Sequence, residues 1–157
     1  MSTNTINIPT RPVRTFVSND LKVDSWSKLQ QYFQDLLDAT ISNVSELEKW
    51  LHNRSELESV MEEEMAWRYI KMNIDTTDEK LAKDFSFWIT EISPNVAPYS
   101  HQLNKKVYDS PYLKELDNDK YFIYLRGLKE EIKIYREENI PLFVEMETKQ
   151  QEYGAIA

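Results

Sequence analysis

Residues 45–72 read SELEKWLHNRSELESVMEEEMAWRYIKM, and the interpretation of this stretch decides the fold. Ser45 and Glu48 have the spacing of a capping box, in which a hydroxyl and a carboxylate satisfy backbone N–H groups at a helix start. Ser55 and Glu58 repeat that spacing. The two boxes predict either a break near His52-Asn53 or one long bent helix running to about Met72. Two apolar stripes recur here at helical period: Leu57, Met61, Met65, Tyr69, Met72, and Val60, Trp67, Ile70. A helix with two stripes is contacted from two sides, so this one is expected at the centre of a bundle.

Toward the N-terminus, Trp26, Leu29, Phe33, Leu36 and Leu37 form one stripe, starting near Ser25 and ending near Thr40. Residues 1–24 read as an extended arm, because Pro9 and Pro12 fix φ and push the residues before them out of the helical region. Ile6, Ile8, Val13, Phe16 and Val17 predict that the arm lies along the body formed by residues 25–157. Toward the C-terminus, Thr76 and Glu79 form a third capping box. Leu81, Phe85, Trp88, Ile89 and Ile92 share a face behind it, and Pro94 is expected to stop that helix. A shorter helix is expected over residues 97–108 with Leu103 and Val107 inward. Ser110-Pro111 then opens a single turn through Leu116, proline being favoured at a first helical position.

The cleanest pattern is Tyr121, Tyr124, Leu125, Leu128, Ile132 and Tyr135, at offsets 0, 3, 4, 7, 11 and 14. Asn139-Ile140-Pro141 punctuates it. A last helix over residues 142–153 is expected to close at Gly154 in the left-handed conformation. The expectation is therefore an all-α bundle of about six to seven helices with an extended N-terminal arm. Glycine usage agrees: the chain has two, Gly127 and Gly154, whereas hairpins and phosphate loops lean on glycine.

Of the 157 residues, 12% are aromatic, with four Trp and nine Tyr, which argues against disorder. There is no cysteine, which excludes disulfides and thiolate chemistry. Met1-Ser2-Thr3-Asn4-Thr5 lacks a signal-peptide pattern, and no apolar run approaches the roughly 20 residues of a membrane span. A cytoplasmic location without membrane contact is the expectation. A net charge of −8, with Lys105-Lys106 as the single basic dipeptide, disfavours nucleic acid.

Catalytic patterns are missing. The histidines are His52 and His101; His52 is followed by Asn53, so the H-E-x-x-H pairing of a zinc peptidase is absent. Three consecutive carboxylates, Glu62, Glu63 and Glu64, point over most of a helix circumference and cannot converge on one ion; they read as a solvated face. His101 reads as a surface or satisfied histidine, and the aromatic stripes as core. In Trp67-Arg68-Tyr69, a buried arginine needs a carboxylate, and Glu64 lies one turn back, so a structural ion pair is expected. No residue is assigned a catalytic, cofactor-binding or metal-binding role.

The order of several segments resembles a known family. They are Glu46-Leu47-Glu48-Lys49-Trp50-Leu51, Glu63-Glu64-Met65-Ala66-Trp67-Arg68-Tyr69-Ile70, Asp75-Thr76-Thr77-Asp78, Leu103-Asn104-Lys105-Lys106, Glu138-Asn139-Ile140-Pro141-Leu142 and Gln151-Glu152-Tyr153-Gly154. With Trp26 and Phe16-Val17 before them, they resemble the N-terminal region of oligoendopeptidase F-like zinc metallopeptidases, relatives of thimet oligopeptidase. The resemblance runs from about Ile8 to Tyr153. It implies a helical lobe forming one wall of a deep channel that admits short peptides. The zinc and its H-E-x-x-H helix would lie in a C-terminal catalytic domain of the same chain, with no metal or other cofactor in these residues. The small apolar ending Ala155-Ile156-Ala157 reads as cut from a longer peptidase. The alternative is a stand-alone helical interaction module without enzymatic activity. A weaker third reading is a complete small enzyme acting through Glu63 or Glu64 and tyrosines.

Overall fold

The computed structural model describes residues 13–154, and among them every regular element is helical. Helices α1 (Trp26–Asp38), α2 (Val44–Ile74), α3 (Glu79–Phe87), α4 (Ser93–Tyr108), α5 (Asn118–Ile134) and α6 (Ile140–Gly154) follow in chain order. Trp88–Ile92 is a π turn that joins α3 to α4 end to end, so the six helices make five rods. Short 3₁₀ turns occupy Leu113–Glu115 and Glu137–Asn139. The all-α class is as the sequence predicts.

Helix α2 is the single long rod, without a break at His52-Asn53. Its start lies earlier than the Ser45–Glu48 box suggests. Asn43 is the N-cap, its Oδ1 accepting from the Glu46 N–H at 2.9 Å, while Glu46 Oε2 accepts from the Ser42 N–H at 2.7 Å. Asparagine is among the strongest caps, so it wins over a serine two residues later. The same happens at α3, where Asp78 rather than Thr76 caps, accepting from the N–H groups of Lys80 and Leu81.

The core runs along the first half of α2 through Leu47, Trp50, Leu51, Leu57 and Val60, against Leu29, Phe33 and Leu36 of α1 and Leu103 and Val107 of α4. The expectation that both stripes of α2 are covered fails beyond Val60: no later residue of the helix is buried, and Met65, Trp67, Tyr69, Ile70 and Ile74 are exposed. Helix α4 occupies the central place instead, packing on α1, α5 and α6. Trp26, Phe33 and Tyr99 form an aromatic triangle between α1 and α4 with ring centroids 5.3–5.7 Å apart.

Pro94 does not stop α3. In the π turn the Ser93 N–H reaches back to the Trp88 carbonyl, and the rod winds on through Pro94 in the first turn of α4. Thr90 Oγ1 donates to Ser86 O and Asn95 Nδ2 to Glu91 O, adding side-chain donors along the disturbed ladder. Gly154 is also unlike the expectation. It is helical, and no glycine among the described residues has a positive φ.

Two charged side chains tie the chain ends of elements to the body. Lys106 Nζ donates to the carbonyls of Leu36, Leu37 and Ala39, closing the C-terminus of α1, and Trp50 Nε1 adds a bond to Leu36 O at 2.8 Å. Glu56 accepts the backbone N–H groups of Thr15, Phe16 and Val17 at 2.6–2.8 Å, which fixes residues 13–24 against α2 with Val17 and Val23 buried. Ile6, Ile8, Pro9 and Pro12 lie outside the described residues.

Candidate functional site

Arg54 stands in the buried stripe of α2 and is 6% exposed. A guanidinium is tolerated there only if its donors are satisfied. Its Nε donates to Glu58 Oε1 at 2.7 Å, Nη2 to Asn104 Oδ1 at 2.6 Å and Nη1 to the Tyr124 hydroxyl at 3.4 Å. Asn104 Nδ2 continues to Glu131 Oε2 at 3.0 Å. This relay joins α2, α4 and α5, and burial pushes the Tyr124 phenol up from its ordinary pKa.

A cleft opens on each side of the relay. Between α2 and α5 lies one of about 550 Å³, with Glu48, His52, Lys120 and Tyr121 at its mouth. Lys120 Nζ and Tyr121 Oη converge on Glu48 Oε1 at 3.1 and 3.0 Å, and those bonds hold the Glu48 carboxyl below its usual range. Between α4, α5 and the start of α6 lies the other, about 290 Å³, lined by His101, Glu131 and Tyr135. The His101 ring stacks on Tyr135 with centroids 3.9 Å apart and planes at 10°. Its Nδ1 is buried with no hydrogen-bond partner, so His101 is neither a surface nor a satisfied histidine. Desolvation, then the charge of Lys105, lowers its pKa and so favours the neutral imidazole.

These clefts can hold a ligand but bring together no reacting set. His52 is exposed on α2, its Nε2 4.0 Å from Glu56, and His101 stands on α4. Among the described residues no group of three His, Asp or Glu side chains is placed to hold a metal ion. The expected ion pair of Arg68 with Glu64 is present. Arg68 also donates to the Val23 carbonyl at 2.8 Å, meets Asp84 at 3.3 Å and lies 5.1 Å over the Trp88 ring. Glu63 pairs with Arg14 at 3.2 Å. Glu63 therefore ties α2 to the arm and Glu64 holds Arg68 within α2, while Glu62 stays on the solvated face the sequence suggests. Arg54, Asn104 and Glu131 were missed by sequence reasoning; an arginine at a stripe position of α2 was the available signal.

Two apolar faces have no covering element among the described residues. Trp67, Ile70 and Ile74 run one turn apart along the far half of α2, with Trp67 54% and Ile74 78% exposed. Leu142, Met146 and Tyr153 line a shallow depression on the outer face of α6. Single exposed apolar residues are ordinary, but contiguous faces mark contact surfaces.

Among the known families, the Peptidase M3 N-terminal domain matches residues 16–135, from Phe16 on the arm to the C-cap of α5. No curated protein and no solved structure matches the chain significantly. With most of its length covered by that match, the chain belongs to the Peptidase M3 N-terminal domain family, the N-terminal region of M3 metallopeptidases related to oligoendopeptidase F.

Proposed function

We propose that this chain is the non-catalytic helical lobe of a zinc-dependent oligoendopeptidase that cleaves short peptides, and that it forms one wall of the substrate channel. Family membership supports the peptidase context. The observation that carries the lobe reading is the pair of uncovered apolar faces on α2 and α6, which a further part of the same polypeptide would dock against. That part would hold the zinc on the H-E-x-x-H motif these 157 residues lack. The helical wall contributes shape: it restricts entry to short, unfolded peptides by sterics and leaves the chemistry to its partner domain.

The test compares two proteins with an internally quenched peptide and zinc. This chain alone gives no turnover, and the product of the full natural reading frame cleaves the peptide until a chelator is added. Zinc-dependent turnover by this chain alone would overturn the reading. So would a natural product of 157 residues that captures a specific protein partner, which is the behaviour of a stand-alone interaction module.

A further inference from the structure

A third cleft, about 300 Å³, lies where the C-terminal half of α2 faces α3 and α6. Its walls include Met65, Tyr69, Met72, Phe85 and Ile89, and Tyr69 and Phe85 form a corner with ring centroids 5.7 Å apart and planes at 57°. A smaller cleft of about 190 Å³ adjoins it between α4 and α6, lined by Pro94, Phe143 and Val144. Glu147 lines both, and it is the one charged residue that either cleft contains. Its carboxylate has no hydrogen-bond or ion-pair partner among the described residues. Elsewhere on this molecule half-buried carboxylates are bound, as Glu56 and Glu64 are. The apolar walls partly desolvate this carboxylate and raise its pKa, so a cation seated in the cleft would find a favourable partner in it.

We propose that the α2–α3–α6 cleft binds a short peptide through an arginine side chain, its guanidinium on Glu147 and its flanking residues on the Tyr69–Phe85 corner. Arginine fits both halves of the site. Its aliphatic stem suits the methionine walls, its planar head stacks on aromatic rings, and its charge answers the lone carboxylate. The net charge of −8 favours a cationic occupant. The same excess of negative charge repels nucleic acid and anionic lipid. Binding here needs no hydrolysis, so the inference goes beyond the peptidase reading and stands or falls apart from it.

The test is calorimetric titration of this chain with acetyl-Phe-Arg-Leu-amide and with the counterpart in which citrulline, uncharged but nearly isosteric, replaces arginine. Blocked ends remove terminal charges from the comparison. The arginine peptide is expected to bind about tenfold tighter than the citrulline peptide. Glu147→Gln should abolish that difference with its thermal midpoint unchanged, and Phe85→Leu should weaken both peptides. Equal binding of the two peptides, no binding of either, or a difference that survives in Glu147→Gln overturns the proposal.

Discussion

At the scale of the residue, Glu56 shows how one carboxylate can seat a segment that has no regular structure. Burial raises its pKa, but the N–H groups of Val17, Thr15 and Phe16 outweigh burial, and the net position lies below the ordinary 4.5. A carboxyl depressed on folding adds stability above its unfolded pKa, and that stability is lost as pH falls through the folded value. Glu56→Gln is expected to cost about 2 kcal/mol at pH 7, from charge-assisted bonds replaced by neutral ones. The deficit relative to wild type should shrink as pH falls below about 4.5. Urea unfolding of both proteins at pH 7 and pH 3 measures this; a deficit that persists undiminished at pH 3 would refute the clamp. Lys106 does comparable work with the opposite sign, since its cation finds three carbonyls at the end of α1. Burial lowers its pKa, and Asp38 nearby partly restores it.

At the scale of the element, the caps separate what was legible from what was not. Stripes located α1 to α5, because burial of one face is a property of spacing that survives small errors in the ends, whereas α6 was placed by the Asn139-Ile140-Pro141 punctuation. Starts were misplaced by two residues at α2 and α3, since Ser45 and Thr76 offered a pattern while Asn43 and Asp78 offered stronger acceptors in extended backbone. Asn43→Ala should therefore destabilise the fold by about 1 kcal/mol, and Ser45→Ala by a few tenths at most, in chemical denaturation. The reverse order would restore the serine box. Pro94 misled for a different reason: a proline rule assumes an α ladder, and the π turn before it had no sequence signature. The relay was illegible because Arg54 meets Asn104, 50 positions away, and Asn104 meets Glu131, which only packing of α2, α4 and α5 brings about.

At the scale of the whole molecule, the uneven burial of α2 matters most. Its first half is core and its second half leaves Trp67, Ile70 and Ile74 in water, while α6 does the same with Leu142 and Met146. Periodicity alone cannot say whether an apolar stripe meets a neighbour within the chain or beyond it, which is why both stripes read as core. Such surfaces promote association. The isolated chain is expected to bind a hydrophobic-surface dye and to associate as concentration rises, by light scattering. Trp67→Ser with Ile70→Ser should reduce both signals while leaving helicity by circular dichroism unchanged. A monodisperse, dye-silent wild type would count against docking through these faces.

The π turn at Trp88–Ile92 has a consequence for ancestry. A π turn carries one residue more than the α turn it replaces, so removal of one residue would restore an ordinary α ladder here. Relatives that lack it would align with this chain through a single-residue gap between positions 88 and 92. In those relatives α3 and α4 would wind as one regular helix, turning whatever follows Ile92 by about 100° around the common axis.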